Sequence, residues 1–406
     1  MKLPELKIGD LIAKIPIIQG GMSIRVSTSA LAIPVAECGG IGTIGGSGIP
    51  VPELQEDIRK AKKATKGVIA VNIMYAMKDF YELVMGSIEA GADMIITGAG
   101  FSRDIFKIGS KFNIPIVSIV SSPGLATLAE KLGASAVIVE ATEAGGHLGT
   151  ETPLRELFPS IRKVVSKIPL IAAGGITNGF EMAEMMDKYG ADGVQIASRF
   201  VLSKECSVSE KFKETFLKAK EEDIVLVSSP VGLPGRAVRT PFVDKMLRGE
   251  DISADKCLFK CLKKCSYKYC ISERLRNALV GDVENGLVFS GANTFKMKEI
   301  LSVQEIFDRF VQAAESVYKE QVPQTLKTIC VANLLLPKMT MYGPQGNIVI
   351  AGDTDKQKFE KWDLYKKFRD AEDEVNLNTD EILLLTSVVA ENEVQLVAGQ
   401  VRDMIQ

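Results

Sequence analysis

Of 406 residues only one is a histidine. His147 sits in the loop Glu140-Ala141-Thr142-Glu143-Ala144-Gly145-Gly146-His147-Leu148-Gly149, directly after the β-branched run Val137-Ile138-Val139. An imidazole takes or gives a proton near neutral pH, which makes it the natural candidate for acid–base work. Gly145 and Gly146 place no Cβ between the backbone and a flat ligand. A loop just past the carboxyl end of a parallel strand is also where α/β folds put their chemistry. A histidine merely satisfied in a turn would not need so many glycine and alanine neighbours.

Two further loops read as anion sites. Ala172-Ala173-Gly174-Gly175-Ile176-Thr177-Asn178 follows an apolar run and precedes a helical pattern. Its glycines expose successive N–H groups to a phosphate, and Asn178 can cap the helix. Gln195-Ile196-Ala197-Ser198-Arg199-Phe200 ends the next apolar run, where backbone N–H groups and the Ser198 hydroxyl can close on the same phosphate. Gln19-Gly20-Gly21-Met22, Thr97-Gly98-Ala99-Gly100 and Ser121-Ser122-Pro123 add small residues. Asn72 puts a polar side chain at a strand end, which a heteroaromatic ring edge would satisfy. The set describes room for a broad planar cofactor with a phosphate tail.

Such loops need a scaffold that gathers them. Short apolar runs alternate with helical patterns, and the strands expected are Ile15–Gln19, Ile41–Ile44, Val68–Ile73, Met94–Thr97, Ile116–Val120, Ala136–Glu140, Leu170–Ala173 and Gly193–Ala197. Lys14-Ile15-Pro16, Asn113-Ile114-Pro115 and Lys167-Ile168-Pro169 each introduce a strand. Gly91-Ala92-Asp93, Gly133-Ala134-Ser135 and Gly190-Ala191-Asp192 each end a helix on a glycine suited to the left-handed cap. Eight such units predict an α/β fold, a (β/α)8 TIM barrel, with an open doubly wound sheet as the alternative. Gly40-Ile41-Gly42-Thr43-Ile44-Gly45 matches a dinucleotide fingerprint, but it follows a helical run and holds its apolar residues inside. It reads as a glycine-bordered strand.

Past Phe200 the rhythm stops. Ser203–Glu222 reads as charged and helical and Ile224–Ser229 as one strand, followed by a loop over Val231–Arg239 and then mainly helices to Tyr318. The expected division is a barrel over 1–202, a smaller, mostly helical cap domain over 203–318, and a C-terminal extension over 319–406. In the extension, a strand is expected at Ile348–Ala351 and a charged helix at Lys356–Glu372, with Asn378 or Thr379 capping the last one or two helices. No function is read from it; a separate module or an oligomerisation element both fit.

Composition narrows the setting. A hydrophobic content of 46% with 25% charged residues describes a globular protein, and a net charge of −2 gives no reason to expect nucleic acid. The first residues lack the apolar run of a signal peptide, and no apolar stretch reaches membrane-spanning length. Seven cysteines, an odd number, do not suggest a disulfide scaffold, so the cytoplasm is expected. Cys257, Cys261, Cys265 and Cys270 fall close together, the first three at the spacing of one helical stripe. Zinc or an iron–sulfur cluster would use such a set, but the spacing matches no common ligand pattern, so no metal ligand is assigned and free thiols remain the rival reading. Cys38, Cys206 and Cys330 read as packing residues. Lys256, Lys260, Lys263, Lys264 and Lys268 share the run and would suit an acidic carrier protein, or simply a solvated face.

Together, Gln19-Gly20-Gly21-Met22, Val71-Asn72-Ile73-Met74, Thr97-Gly98-Ala99-Gly100, Glu140 with Glu143-Ala144-Gly145-Gly146-His147, Ala172-Ala173-Gly174-Gly175-Ile176 and Gln195-Ile196-Ala197-Ser198-Arg199-Phe200 resemble the nitronate monooxygenase family. That family, formerly the 2-nitropropane dioxygenases, includes the FMN-dependent enoyl-acyl-carrier-protein reductases. The resemblance covers about residues 5 to 318 and leaves 319–406 without a counterpart. It implies an FMN-binding barrel with His147 at the catalytic position. It also implies cofactor-contacting positions at Gly21, Met22, Asn72, Glu140, Gly145, Gly146, Ala173, Gly174, Gly175, Gln195, Ile196, Ala197 and Ser198. Family members commonly carry Gly-Thr where this chain has Ala197-Ser198, and the hydroxyl is kept. The activity implied is oxidation of alkyl nitronates with dioxygen, His147 acting as base or anion stabiliser. The alternatives are an NAD(P)H-dependent reductase of enoyl thioesters, served by acyl carrier protein, and a flavin-binding regulator without turnover. A small-molecule substrate is expected and no nucleic-acid or membrane partner; a homodimer is left open.

Overall fold

The Val, Ile and Ala runs of the N-terminal half are covered on both faces, which commits them to a parallel sheet. In the computed structural model that sheet closes on itself. The structure describes residues 3–253, 257, 259–266 and 268–321. The barrel strands are β1 (Ile17–Gln19), β2 (Ile41–Gly45), β3 (Val68–Met74), β4 (Met94–Gly98), β5 (Ile116–Val120), β6 (Ala136–Glu140), β7 (Leu170–Ala173) and β8 (Gly193–Ile196). All pair in parallel, each with its neighbour in chain order, and β8 returns to β1. The chain is therefore a (β/α)8 TIM barrel, and every expected strand is present with its ends moved by at most two residues. The glycine-bordered run at 40–45 is β2, not a nucleotide-binding turn.

The repeated signals act as the sequence suggests. Gly91, Gly133 and Gly190 take φ of +90°, +94° and +72° and end their helices. Two residues on, the N–H of Asp93, Ser135 and Asp192 bonds to the carbonyl of Ile69, Ile116 and Leu170 in the preceding strand. The Asp93 and Asp192 carboxylates accept from the N–H of Ile69 and Leu170. One short motif thus stops a helix and docks the next strand.

One element was not foreseen. Leu6–Ile8 and Leu11–Ala13 form an antiparallel hairpin before the barrel. Leu6, Ile8 and Ala13 pack into one cluster with Ile18, Ile41, Ala70, Met94, Val117, Ile138 and Ile171 inside the barrel. The hairpin plugs the amino end of the barrel and leaves the carboxyl end for the loops.

The chain after β8 departs from the expectation in detail. Only Glu210–Lys218 is α-helical within Ser203–Glu222, with a 3-10 turn at Glu221–Asp223. The segment read as a loop over Val231–Arg239 contains a strand. It is β10 (Pro234–Val238), which pairs antiparallel with β9 (Ile224–Ser228) and with β11 (Val288–Phe289). Turn-forming Pro234 and Gly235 hide it in the sequence, yet Gly235 is required because a Cβ there would meet the Phe289 ring at 2.9 Å. Helices Pro241–Leu247, Ile271–Val280 and Val303–Gln321 follow the helical patterns. Val227, Ala237, Phe242, Val243, Tyr269, Ile271 and Leu287 form the core of this smaller lobe. The described residues up to Glu315 pack as one compact unit. Among the described residues no helix is long and apolar enough to cross a membrane. The elements expected within 348–379, and Cys330, lie outside the described residues.

Candidate active site

The loop after β6 is positioned from two sides. Gly146–His147 forms a two-residue strand against β10, pairing Gly235 with His147 and Arg236 with Gly146. The histidine of the barrel thereby becomes an edge of the smaller lobe's sheet. Arg236 donates to the Thr142 carbonyl at 2.8 Å, and the Glu143 carboxylate accepts from Leu154 N–H at 3.0 Å. Gly145 is obligatory here, because a Cβ would lie 2.7 Å from the Ser290 backbone.

A cavity of about 210 Å³ opens at the carboxyl end of the barrel. Gly21, Met22, Asn72, Glu140, Gly145, Gly146, His147, Gln195, Ala197 and Ser198 all line it. A second cavity of about 60 Å³ adjoins it and is lined by Ala173, Gly174, Gly175 and Ile196. Glu140, Gly145, Gln195, Ala197 and Ser198 border both, so the two are chambers of one space. His147 and every position expected to contact the cofactor are brought to this space, whereas Gly100 and Ser121-Ser122-Pro123 do not line it.

The β1 loop is held by Gln19, whose Oε1 accepts from Thr43 N–H at 3.0 Å and whose Nε2 donates to Ser27 Oγ at 2.9 Å. Ser27 Oγ accepts from Met22 N–H at 3.0 Å, and Asn72 Nδ2 donates to the Gly21 carbonyl at 2.9 Å. A Cβ on Gly21 would meet Asn72 Cβ at 2.4 Å, so glycine is needed for the loop to approach β3. Ile24 beside it has φ +54°, an unfavourable conformation for a β-branched residue, at the cavity wall.

The smaller chamber is built for an anion. Gly174 and Gly175 turn at φ +116° and +73°, and Asn178 caps the following helix by accepting from Glu181 N–H at 3.0 Å. Among the described residues, the N–H groups of Gly174, Gly175 and Ser198 meet no backbone acceptor. The Ser198 hydroxyl accepts from Gly291 N–H at 2.9 Å, and Asn293 donates to the Gly175 carbonyl at 2.6 Å. Gln195 Oε1 and Ser290 Oγ are buried without partners at the edges of the space. Orphaned donors at one end and an orphaned amide oxygen between the chambers match a phosphate tail joined to a polar heterocycle.

Electrostatics set the two ionisable groups apart. Burial lowers His147 to about 4, so the ring is neutral near pH 7. Burial alone raises the Glu140 carboxyl to about 7. His147 Nε2 lies 2.8 Å from Ser229 Oγ, and the ring meets Phe289 edge-on at 5.2 Å.

Several lining residues were missed by the sequence reading. Phe212, Leu275, Leu287 and Phe289 wall the larger chamber, and Gly291, Asn293 and Thr294 the smaller. The run Ser290-Gly291-Ala292-Asn293-Thr294 has the small, polar texture of the other loops and was the available signal; the apolar residues carried none.

The described residues of the cysteine run are not helical. Lys260 takes φ +47°, Leu262 bridges to Met77, and Lys78 N–H bonds to the Cys261 carbonyl at 2.9 Å. The segment is an irregular strap tied to the loop after β3, so the helical stripe expected for Cys257, Cys261 and Cys265 does not form. Among the described residues no group of three His, Cys, Asp or Glu side chains could hold a metal ion. Burial raises the Cys270 thiol, the opposite of activation. Lys263, though exposed, donates to the Tyr75 carbonyl at 2.7 Å and lies 3.4 Å from the centre of the Tyr75 ring, which ties it to the loop after β3.

Residues 5–313 match the sequence profile of the family described as nitronate monooxygenase. A probable nitronate monooxygenase of Staphylococcus saprophyticus is 27% identical over 330 residues, covering 70% of this chain and 89% of that protein. A (3aS,4S,5R,7aS)-5-hydroxy-7a-methyl-1-oxo-octahydro-1H-indene-4-carboxyl-CoA dehydrogenase of Mycobacterium tuberculosis is 31% identical over 58% of this chain and 66% of that protein. Among solved structures, FabK of Thermotoga maritima superposes with a TM-score of 0.67 at 30% identity, covering 76% of this chain and 95% of that one. A nitroalkane oxidase of Streptomyces ansochromogenes shares the fold, with a TM-score of 0.65 at 19% identity over 76% of this chain and 97% of that one. The chain belongs to the nitronate monooxygenase family and is an oxidoreductase of that type.

Proposed function

We propose that the chain is an FMN-dependent oxidoreductase that oxidises alkyl nitronates with dioxygen, with His147 as the residue acting on substrate. The observation that carries this reading is the two-chambered space, with unclaimed N–H donors in the small chamber and a neutral histidine in the large one. Gly174, Gly175 and Ser198 would hold the phosphate, with Ala173, Ile196 and Ala197 placing their backbone. Gly21, Met22, Asn72, Glu140, Gly145, Gly146 and Gln195 would hold the ring system and its linker. When bound, FMN supplies the two-electron redox step and the reaction with dioxygen. The chain supplies the rest. Phe212, Leu275, Leu287 and Phe289 keep water from the reacting carbon. Where the substrate arrives as the neutral nitroalkane, neutral His147 accepts the proton of the carbon bearing the nitro group, the C–H pair moving to the nitro oxygens, and so forms the nitronate in the site.

A second reading, reduction of an enoyl thioester, draws on the 30% and 31% identities to FabK and to the carboxyl-CoA dehydrogenase. In that reading an acyl carrier protein or CoA would present the substrate. Anaerobic stopped-flow mixing of the flavin-loaded chain separates the two. Bleaching by an alkyl nitronate alone is expected. Bleaching by NAD(P)H followed by turnover of a crotonyl thioester would replace the nitronate reading with the reductase. Bleaching by neither would contradict both and leave the regulator.

A further inference from the structure

Beyond the positions assigned to the flavin, the larger chamber continues along the smaller lobe. Phe289 packs edge-on against the His147 ring, 5.2 Å between centres, so this apolar arm begins beside the residue proposed to act on substrate. Leu287 follows, and its N–H bonds to the Arg274 carbonyl at 2.9 Å, which seats it beside Leu275 of helix Ile271–Val280. Ser209 N–H bonds to the Leu279 carbonyl at 3.0 Å and so ties helix Glu210–Lys218, which carries Phe212, to the same helix. Phe212, Leu275, Leu287 and Phe289 all line the chamber, and Ile24 and Val26 of the loop after β1 add to its apolar wall.

No cation meets a ligand here. Among the described residues neither chamber is lined by a lysine or an arginine, and their ionisable side chains are His147, Glu140 and Glu143. The imidazole is neutral near pH 7 and the other two are carboxyls. The phosphate of a flavin can use the unclaimed N–H groups of the smaller chamber, but a carboxylate at the far end of a substrate would lie against hydrocarbon with no counter-ion. An alkyl chain in the same place gains from leaving water. We propose that Phe212, Leu275, Leu287 and Phe289 are specificity-determining residues that seat the alkyl chain of the nitronate and reject nitro acids ending in a carboxylate. The choice of nitronate rests on the function proposed above; the apolar arm itself does not.

Anaerobic flavin bleaching by a series of nitronates, in the flavin-loaded full chain, tests this. From ethyl to propyl to butyl nitronate, the bleaching rate constant divided by the dissociation constant is expected to rise about fourfold per methylene. The nitronate of 4-nitrobutanoate, in which a carboxylate replaces the terminal methyl of butyl nitronate, should fall at least about a hundredfold below butyl nitronate. Leu275 is only half-buried, so a longer side chain can be housed there. Leu275→Arg should narrow that gap at least about tenfold by pairing with the carboxylate. Rates that ignore chain length, a carboxylate substrate as good as butyl nitronate, or a Leu275→Arg ratio equal to wild type overturns the proposal. The wild-type series decides even where the variant fails to fold. If no nitronate bleaches the flavin, the functional reading falls, and calorimetry of the same protein with 1-butanol, 1-pentanol and 1-hexanol decides the arm. Binding that tightens with each methylene supports it, and the absence of that trend overturns it.

Discussion

Burial holds the His147 imidazole at about 4, so its proton-accepting form is present throughout the neutral range. His147→Ala is expected to keep its flavin and lose about 10²–10⁴-fold in turnover of the neutral nitroalkane, read by oxygen consumption. Full activity would remove the ring from the mechanism. Glu140 behaves in the opposite sense, because its folded pKa of about 7 lies above the ordinary 4.5. Between those values the folded state holds the proton more tightly, so the contribution of Glu140 to stability falls as pH rises and levels off above 7. Glu140→Gln in the flavin-free protein should therefore gain stability over wild type as pH rises from 4.5 to 7, by at most on the order of 3 kcal/mol. The opposite slope of His147 is common to both proteins and cancels in the difference. Urea midpoints at pH 5 and pH 8 that differ equally would contradict the assignment.

At the scale of elements, what the sequence displays is what is local. The glycine stops, the proline starts and the β-branched runs each act within a few residues of themselves, so the eight strands of the barrel are legible. The hairpin Leu6–Ile8 and Leu11–Ala13 is too short to show a period, and only the hollow end of the barrel gives it a reason to form. Leu6→Ala should destabilise the fold by about 2–5 kcal/mol, measured by urea unfolding, because its side chain is 1% exposed inside that cluster. A loss under about 0.5 kcal/mol would show that the hairpin is not a plug. β10 is illegible for a related reason: beyond its hairpin partner β9, the strands that hold it, at His147 and β11, come from distant parts of the chain.

In the whole molecule the site is shared. The barrel contributes the glycine loops, whose composition announces them, and His147 meets every expected cofactor-contacting position there. The smaller lobe contributes Phe289, Ser290 and Asn293, whose types are ordinary and whose role arises only from where the fold carries them. Gly175 lies at the joint, with φ +73° and a notional Cβ 3.1 Å from Glu143 and 3.2 Å from Asn293. Gly175→Asp should strain the turn, crowd both side chains and set a carboxylate against the phosphate. Its FMN affinity should fall at least about tenfold by fluorescence titration; unchanged affinity would move the phosphate elsewhere.

The central claim is that this space holds a flavin. Purified full-length chain, offered FMN in excess and then desalted, should retain one FMN per chain with the absorption of an oxidised flavin. A colourless protein that takes up none would contradict the account.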